Sequence, residues 1–82
     1  MMSTTTRLRV PNLGAEATGG TVLAWLRAVG DEVAAGEIVG ELETEKATVE
    51  LEAPVAGRII EITQPVGAEV PVGGTLALIE HD

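Results

Sequence analysis

The 82-residue chain has no cysteine, one histidine, one aromatic residue and only five basic residues. The missing cysteines rule out disulfides, iron–sulfur clusters and Cys-type zinc sites. The lone imidazole, His81, stands beside the C-terminal Asp82 and rules out a multi-histidine metal site. Thirteen acidic residues against the five basic ones leave a formal net charge of −8. Binding to nucleic acid or to an anionic membrane surface needs basic clusters, so both are disfavoured. Docking on basic protein surfaces is compatible with this charge, and long-range attraction would raise the association rate. No apolar run approaches the roughly 20 residues of a membrane span. The opening Met1-Met2-Ser3-Thr4-Thr5-Thr6 lacks the apolar segment of a secretion signal and is expected to be a disordered leader.

What remains is one small domain of aliphatic residues, 45% of the chain being apolar. A core this small tolerates few long loops, so a regular and tightly turned structure is expected.

The chain repeats itself at an offset of 37 residues: Gly20–Glu43 lies on Gly57–Glu80 without a gap. Seven of 24 positions are identical: Gly20/Gly57, Val29/Val66, Gly30/Gly67, Glu32/Glu69, Val33/Val70, Gly36/Gly73 and Glu43/Glu80. Each half reads strand, turn, turn, strand. The first has Thr21–Leu26, turns at Val29-Gly30-Asp31 and Ala35-Gly36-Glu37, then Ile38–Glu43. The second has Arg58–Thr63, turns at Val66-Gly67-Ala68 and Val72-Gly73-Gly74, then Thr75–Glu80. Arg7–Val10 supplies a further strand that stops at Pro11. Short strands between glycine turns predict an all-β sandwich or barrel with two similar halves. Alternation in the second half points Ile60 and Ile62 inward, and the repeat transfers this to Leu23 and Trp25. Trp25 is therefore expected in the core.

The stretch ELETEKATVELEAP, Glu41 to Pro54, sets one cation among five carboxylates. From Lys46 onward Ala47, Val49, Leu51 and Ala53 share one face, and Lys46, Thr48, Glu50 and Glu52 the other. Glu, Leu, Lys and Ala also favour a helix. Strict alternation, Thr and Val, and the closing Ala53-Pro54 favour strands. Two alternating arms meeting near Thr44–Ala47 predict a β-hairpin, although its tip lacks the Asn-Gly or Asp-Gly pair of the favoured short loops. Lys46 would then project into water. On pattern alone it could simply relieve repulsion, but exposed ion pairs contribute only about 0–1 kcal/mol.

The chain resembles the lipoyl domains of 2-oxo acid dehydrogenase complexes, in the acyltransferase component, from about Arg7 to Glu80. The resemblance is carried, in order, by VPNLG (Val10–Gly14), the segment from Gly19 through GELETEKA to Ala47, APVAGRI (Ala53–Ile59) and VGAEVPVGGTLALIE (Val66–Glu80). It implies a flattened barrel-sandwich of two small, mainly antiparallel sheets with internal quasi-two-fold symmetry. It implies a carrier domain over 7–80, with 81–82 as the C-terminal end or the start of a linker to a larger chain.

The resemblance also implies that Lys46 carries lipoic acid in amide linkage. Glu43, three residues before it, Gly30, sixteen before, and Gly57, eleven after, match positions tied to recognition by the lipoate-attaching enzyme. Glu45 and Ala47 flank the lysine, and Glu45 stands where the family usually has Asp. Biotin carrier domains share the fold but usually flank their lysine with methionines, so the flanks favour lipoate. Membrane-fusion barrel-sandwich domains lack the carrier lysine, and an unmodified interaction module is the alternative of another class. The implied partners are a thiamine-dependent 2-oxo acid decarboxylase, the acyltransferase catalytic core and a flavin-dependent dihydrolipoamide dehydrogenase. The implied compartment is the bacterial cytoplasm or an organelle matrix. The chain itself offers no Ser/His or Cys/His pair for nucleophilic catalysis and no strand-to-helix phosphate loop, so it is expected to carry rather than to catalyse.

Overall fold

The computed structural model describes residues 3–13 and 18–82. Eight strands form in order: β1 (Thr4–Arg9), β2 (Gly19–Trp25), β3 (Glu32–Val33), β4 (Ile38–Glu43), β5 (Thr48–Glu52), β6 (Gly57–Ile62), β7 (Glu69–Pro71) and β8 (Thr75–His81). They make two four-stranded sheets, β1-β8-β6-β3 and β5-β4-β2-β7, with every pairing antiparallel. The short strands β3 and β7 form between the two glycine turns of each half, where sequence patterning assigns no strand. Pro71 is accommodated because β7 lies at a sheet edge, where a missing N–H breaks no ladder.

The 37-residue repeat is the symmetry of the fold. It maps β2, β3 and β4 onto β6, β7 and β8, and it maps the order of one sheet onto that of the other. The left-handed glycines also fall in mates: Gly30 (φ 98°) with Gly67 (φ 93°), and Gly36 (φ 84°) with Gly73 (φ 82°). Each half donates its first turn to the other. Gly67 N–H bonds Val22 O at 2.8 Å and Gly30 N–H bonds Ile59 O at 2.7 Å. The core is accordingly shared, with Val22, Val39, Leu42 and Leu51 meeting Ile59, Leu76, Ala77 and Ile79.

One bulge in each half corrects the expected facing of the apolar residues. β2 pairs Val22 with Leu42 and then Ala24 with Glu41, leaving Leu23 as the extra residue. β6 does the same at its mate, Ile60, between Ile59 and Glu61. An extra residue breaks period-two alternation. Val22 and Ile59 are therefore buried, while Leu23 and Ile60, expected inside, are 42% and 36% exposed. Past the bulge, Trp25 and Ile62 turn back against the core, as expected of them. The Trp25 ring lies over Gly40, where an added Cβ would come within 3.0 Å of Cε3, and its Nε1–H donates to Gln64 O at 2.9 Å.

The polar leader is ordered further than its composition suggests. β1 begins at Thr4, and Thr4, Thr5 and Thr6 pair with His81, Glu80 and Ile79. β8 likewise continues through His81, beyond the expected end of the domain. Met1 and Met2, and the Gly14 that closes VPNLG, lie outside the described residues.

Topology sets the direction of the hairpin. β4 runs toward residues 44–47 and β5 runs back. The chain leaves β5 at Glu52, and β6 starts at Gly57, packed against Glu80. The paired terminal strands β1 and β8 thus begin and end at the pole away from the hairpin, along a domain whose longest extent is 42 Å.

Candidate functional site

The hairpin holds Lys46 with the last ladder pair Glu43↔Thr48 beneath it. Favoured two-residue hairpin loops need positive φ, but no described non-glycine residue adopts it. Thr44 supplies another solution. Its N–H donates to Ala47 O at 2.9 Å, and its hydroxyl donates to the same oxygen at 2.9 Å. The hydroxyl oxygen then accepts from Ala47 N–H at 3.2 Å and from Lys46 N–H at 3.4 Å. A Thr side chain can mimic a turn carbonyl in this way. Thr44 was not singled out from sequence. The signal was a Thr at the first position of a glycine-free turn.

Glu43, Glu45, Lys46 and Ala47 are all exposed. The alternation read from sequence holds along β5, with Leu51 and Ala53 buried, Val49 half-buried and Thr48, Glu50 and Glu52 exposed, but it stops at the turn, where Ala47, expected on the inward face, is exposed. Lys46 is thus an exposed residue at the end of a cross-linked stalk. That geometry fits covalent attachment of a long arm, which needs an accessible primary amine and a fixed base. The open cleft formed by Glu32, Gly57, Arg58, Glu80 and His81 belongs to the opposite pole, so it does not seat a group on Lys46. Among the described residues no cluster of three metal-ligating side chains occurs.

The structure separates the predicted recognition residues. Glu43 adjoins the hairpin tip. Gly30 and Gly57 sit together at the other pole: Gly30 N–H bonds Ile59 O, two residues along β6 from Gly57, which itself pairs with Val33. Each has a backbone reason to be glycine. Gly30 is left-handed. A Cβ on Gly57 would collide with Glu80 O and lie 2.9 Å from Ile79 Cγ2.

The family model described as "Biotin-requiring enzyme" matches residues 6–79. The succinyltransferase component of the 2-oxoglutarate dehydrogenase complex of Bartonella vinsonii subsp. berkhoffii is 45% identical over 76 residues, covering 93% of this chain and 18% of its own. The acetyltransferase component of the pyruvate dehydrogenase complex of Mycobacterium tuberculosis is 44% identical over 70 residues, 85% of this chain and 13% of its own. Among solved structures, the lipoyl domain of the Azotobacter vinelandii 2-oxoglutarate dehydrogenase complex superposes with a TM-score of 0.71 at 29% identity, covering 89% of this chain and 92% of that one. The urea carboxylase of Kluyveromyces lactis superposes at 0.79 with 26% identity, covering 93% of this chain and 6% of that one.

The chain therefore belongs to the biotin/lipoyl carrier-domain family. Its sequence relatives place it, within that family, among the lipoyl domains of dihydrolipoyllysine acyltransferase components, which are non-catalytic carriers. It spans less than a fifth of the length of these two relatives. Other relatives include bacterial chains and an Arabidopsis thaliana chain named as mitochondrial, and among the described residues no helix is long and apolar enough to cross a membrane.

Proposed function

We propose that Lys46 bears lipoate in amide linkage and that the domain carries it between the active sites of a 2-oxo acid dehydrogenase complex. One observation supports this above the others: an exposed lysine at the apex of a hairpin that Thr44 locks by four hydrogen bonds. The likeness to a carboxylase shows that the fold alone does not choose the attached group. The flanks Glu45 and Ala47, in place of methionines, and the acyltransferase relatives favour lipoate over biotin.

When bound, lipoate supplies a dithiolane that accepts acyl groups and electrons. The residues of this chain supply the rest. A lysine ammonium holds its proton at neutral pH and is no nucleophile until it is lost. None of the described residues at the tip is a histidine or other base suited to take it, so the attaching enzyme removes that proton. Attachment then cancels one positive charge and makes the tip more acidic. The β4–β5 ladder fixes the outward face on which Lys46 emerges, because a one-residue slip would invert every side chain. Glu43 is the carboxylate placed to meet the attaching enzyme. Gly30 and Gly57 influence attachment by allowing the fold to close. The partners follow the same reading: the lipoate-attaching enzyme, a thiamine-dependent decarboxylase, the acyltransferase core and a flavin-dependent dehydrogenase, within bacterial cytoplasm or an organelle matrix.

The test is intact mass after incubation of the domain with a lipoate ligase, lipoate and ATP, and separately with a biotin ligase, biotin and ATP. A gain of one lipoyl group, and none of biotin, is expected. A biotin gain alone would move the domain to the other branch of its family. No gain with either enzyme, while control domains are modified, would leave an interaction module.

A further inference from the structure

The two sheets share a backbone plan but not a charge plan. Strands β5, β4, β2 and β7 carry Glu41, Glu43, Glu50, Glu52 and Glu69 and no lysine or arginine. Strands β1, β8, β6 and β3 balance Arg7, Arg9 and Arg58 against Glu32, Glu61 and Glu80. The carboxylates of the hairpin sheet project from its outer face, since Leu42 and Leu51 beside them are buried. Glu41 stands directly opposite Glu50, and Thr21 pairs with both Glu43 and Glu69. Like charges directly opposed across a ladder destabilise a sheet. Among the described residues no ion pair relieves these five.

The same face carries an apolar spot. The β2 bulge turns Leu23 outward, and the Gly67 N–H bond to Val22 O brings Val66, 61% exposed, alongside it. The symmetry mates, Ile60 and Val29, are also exposed and are joined by the equivalent Gly30-to-Ile59 bond, but they belong to the charge-balanced sheet and the far pole. The molecule therefore presents one local geometry twice, and only the copy nearer Lys46 lies in an acidic field.

We infer that Leu23 and Val66, framed by Glu41, Glu43, Glu50 and Glu69, form the docking surface for the lipoate-attaching enzyme, which meets it with an apolar contact inside a basic rim. The inference rests on the carrier reading above. The acidic frame steers the encounter, and the apolar pair holds it. This arrangement selects one of two pseudo-equivalent poles, a choice the backbone cannot make.

The symmetry supplies its own control. The apo domain is lipoylated by a purified ligase, and kcat/KM is compared for the parent, L23S/V66S, E41Q/E50Q and the mate variant V29S/I60S, with thermal midpoints recorded for each. L23S/V66S is expected to lower kcat/KM about tenfold, and V29S/I60S to leave it within about twofold. E41Q/E50Q is expected to lower it several-fold at about 50 mM salt, with the deficit gone at about 300 mM, while raising the thermal midpoint. Opposite changes in stability and rate separate docking from damage to the fold. A parent that is modified, with L23S/V66S equal to it or V29S/I60S equally impaired, overturns the docking surface and leaves the carrier reading intact. A parent that is never modified overturns both.

Discussion

Thr44 and Ala47 close the lysine hairpin through a side chain. The Thr44 hydroxyl donates to Ala47 O at 2.9 Å and accepts Ala47 N–H at 3.2 Å, so no left-handed residue is needed at the turn. Thr44→Val keeps the shape and removes these bonds. It is expected to cost about 1 kcal/mol, to speed hydrogen exchange of the Lys46 and Ala47 amides, and to slow lipoylation. Thr44→Ser should restore all three. Full-rate modification of a hairpin shown by exchange to be loosened would contradict the view that rigidity serves attachment.

Gly57 has no room for a side chain, because Glu80 O and Ile79 Cγ2 occupy the place a Cβ would take. Gly57→Ala must push β6 away from β8 and is expected to destabilise the domain by about 2 kcal/mol. Gly30→Ala, at φ 98°, should cost about 1 kcal/mol. Lipoylation of both variants should track the folded fraction measured by circular dichroism. A loss of modification in fully folded protein would instead make these glycines direct contacts of the attaching enzyme.

Glu37 caps its own turn. Its Oε1 accepts Ala34 N–H at 2.9 Å, and its Oε2 accepts from Arg27 Nε at 2.7 Å. The Ala34 bond first, and Arg27 after it, hold the carboxyl below its ordinary value of 4.5. A lowered folded value means that the contribution is fully present above that ordinary value and is lost as pH falls through the folded one. Glu37→Gln should therefore melt below the parent at pH 7, with the gap closing once the medium is acid enough to protonate Glu37 in the folded state. A gap that stays constant into strong acid would show that the charge plays no part.

Much of this architecture was legible because the two halves repeat. The glycine turns at 30, 36, 67 and 73 marked the corners, and Ile38–Glu43 was read with its observed limits. Alternation through Thr48, Glu50 and Glu52 puts Lys46 on the outward face. The bulges at Leu23 and Ile60 were not legible, because a bulge inserts a residue without a distinctive side chain and resets the phase of everything after it. β3 and β7 were missed because two or three residues carry no measurable periodicity. The order of Thr4–Thr6 was missed because threonines in a polar leader look like tail until β8 is known to extend beside them. The distance of Gly30 and Gly57 from the lysine follows only from the crossover between the sheets.

The central claim, that Lys46 is the attachment point, is tested most directly by peptide mapping of the ligase-treated domain beside Lys46→Arg. The lipoyl group is expected on the peptide containing Lys46 and nowhere else, with Lys46→Arg folded and unmodified. Lipoate on any other residue, or a full mass gain in Lys46→Arg, would contradict it.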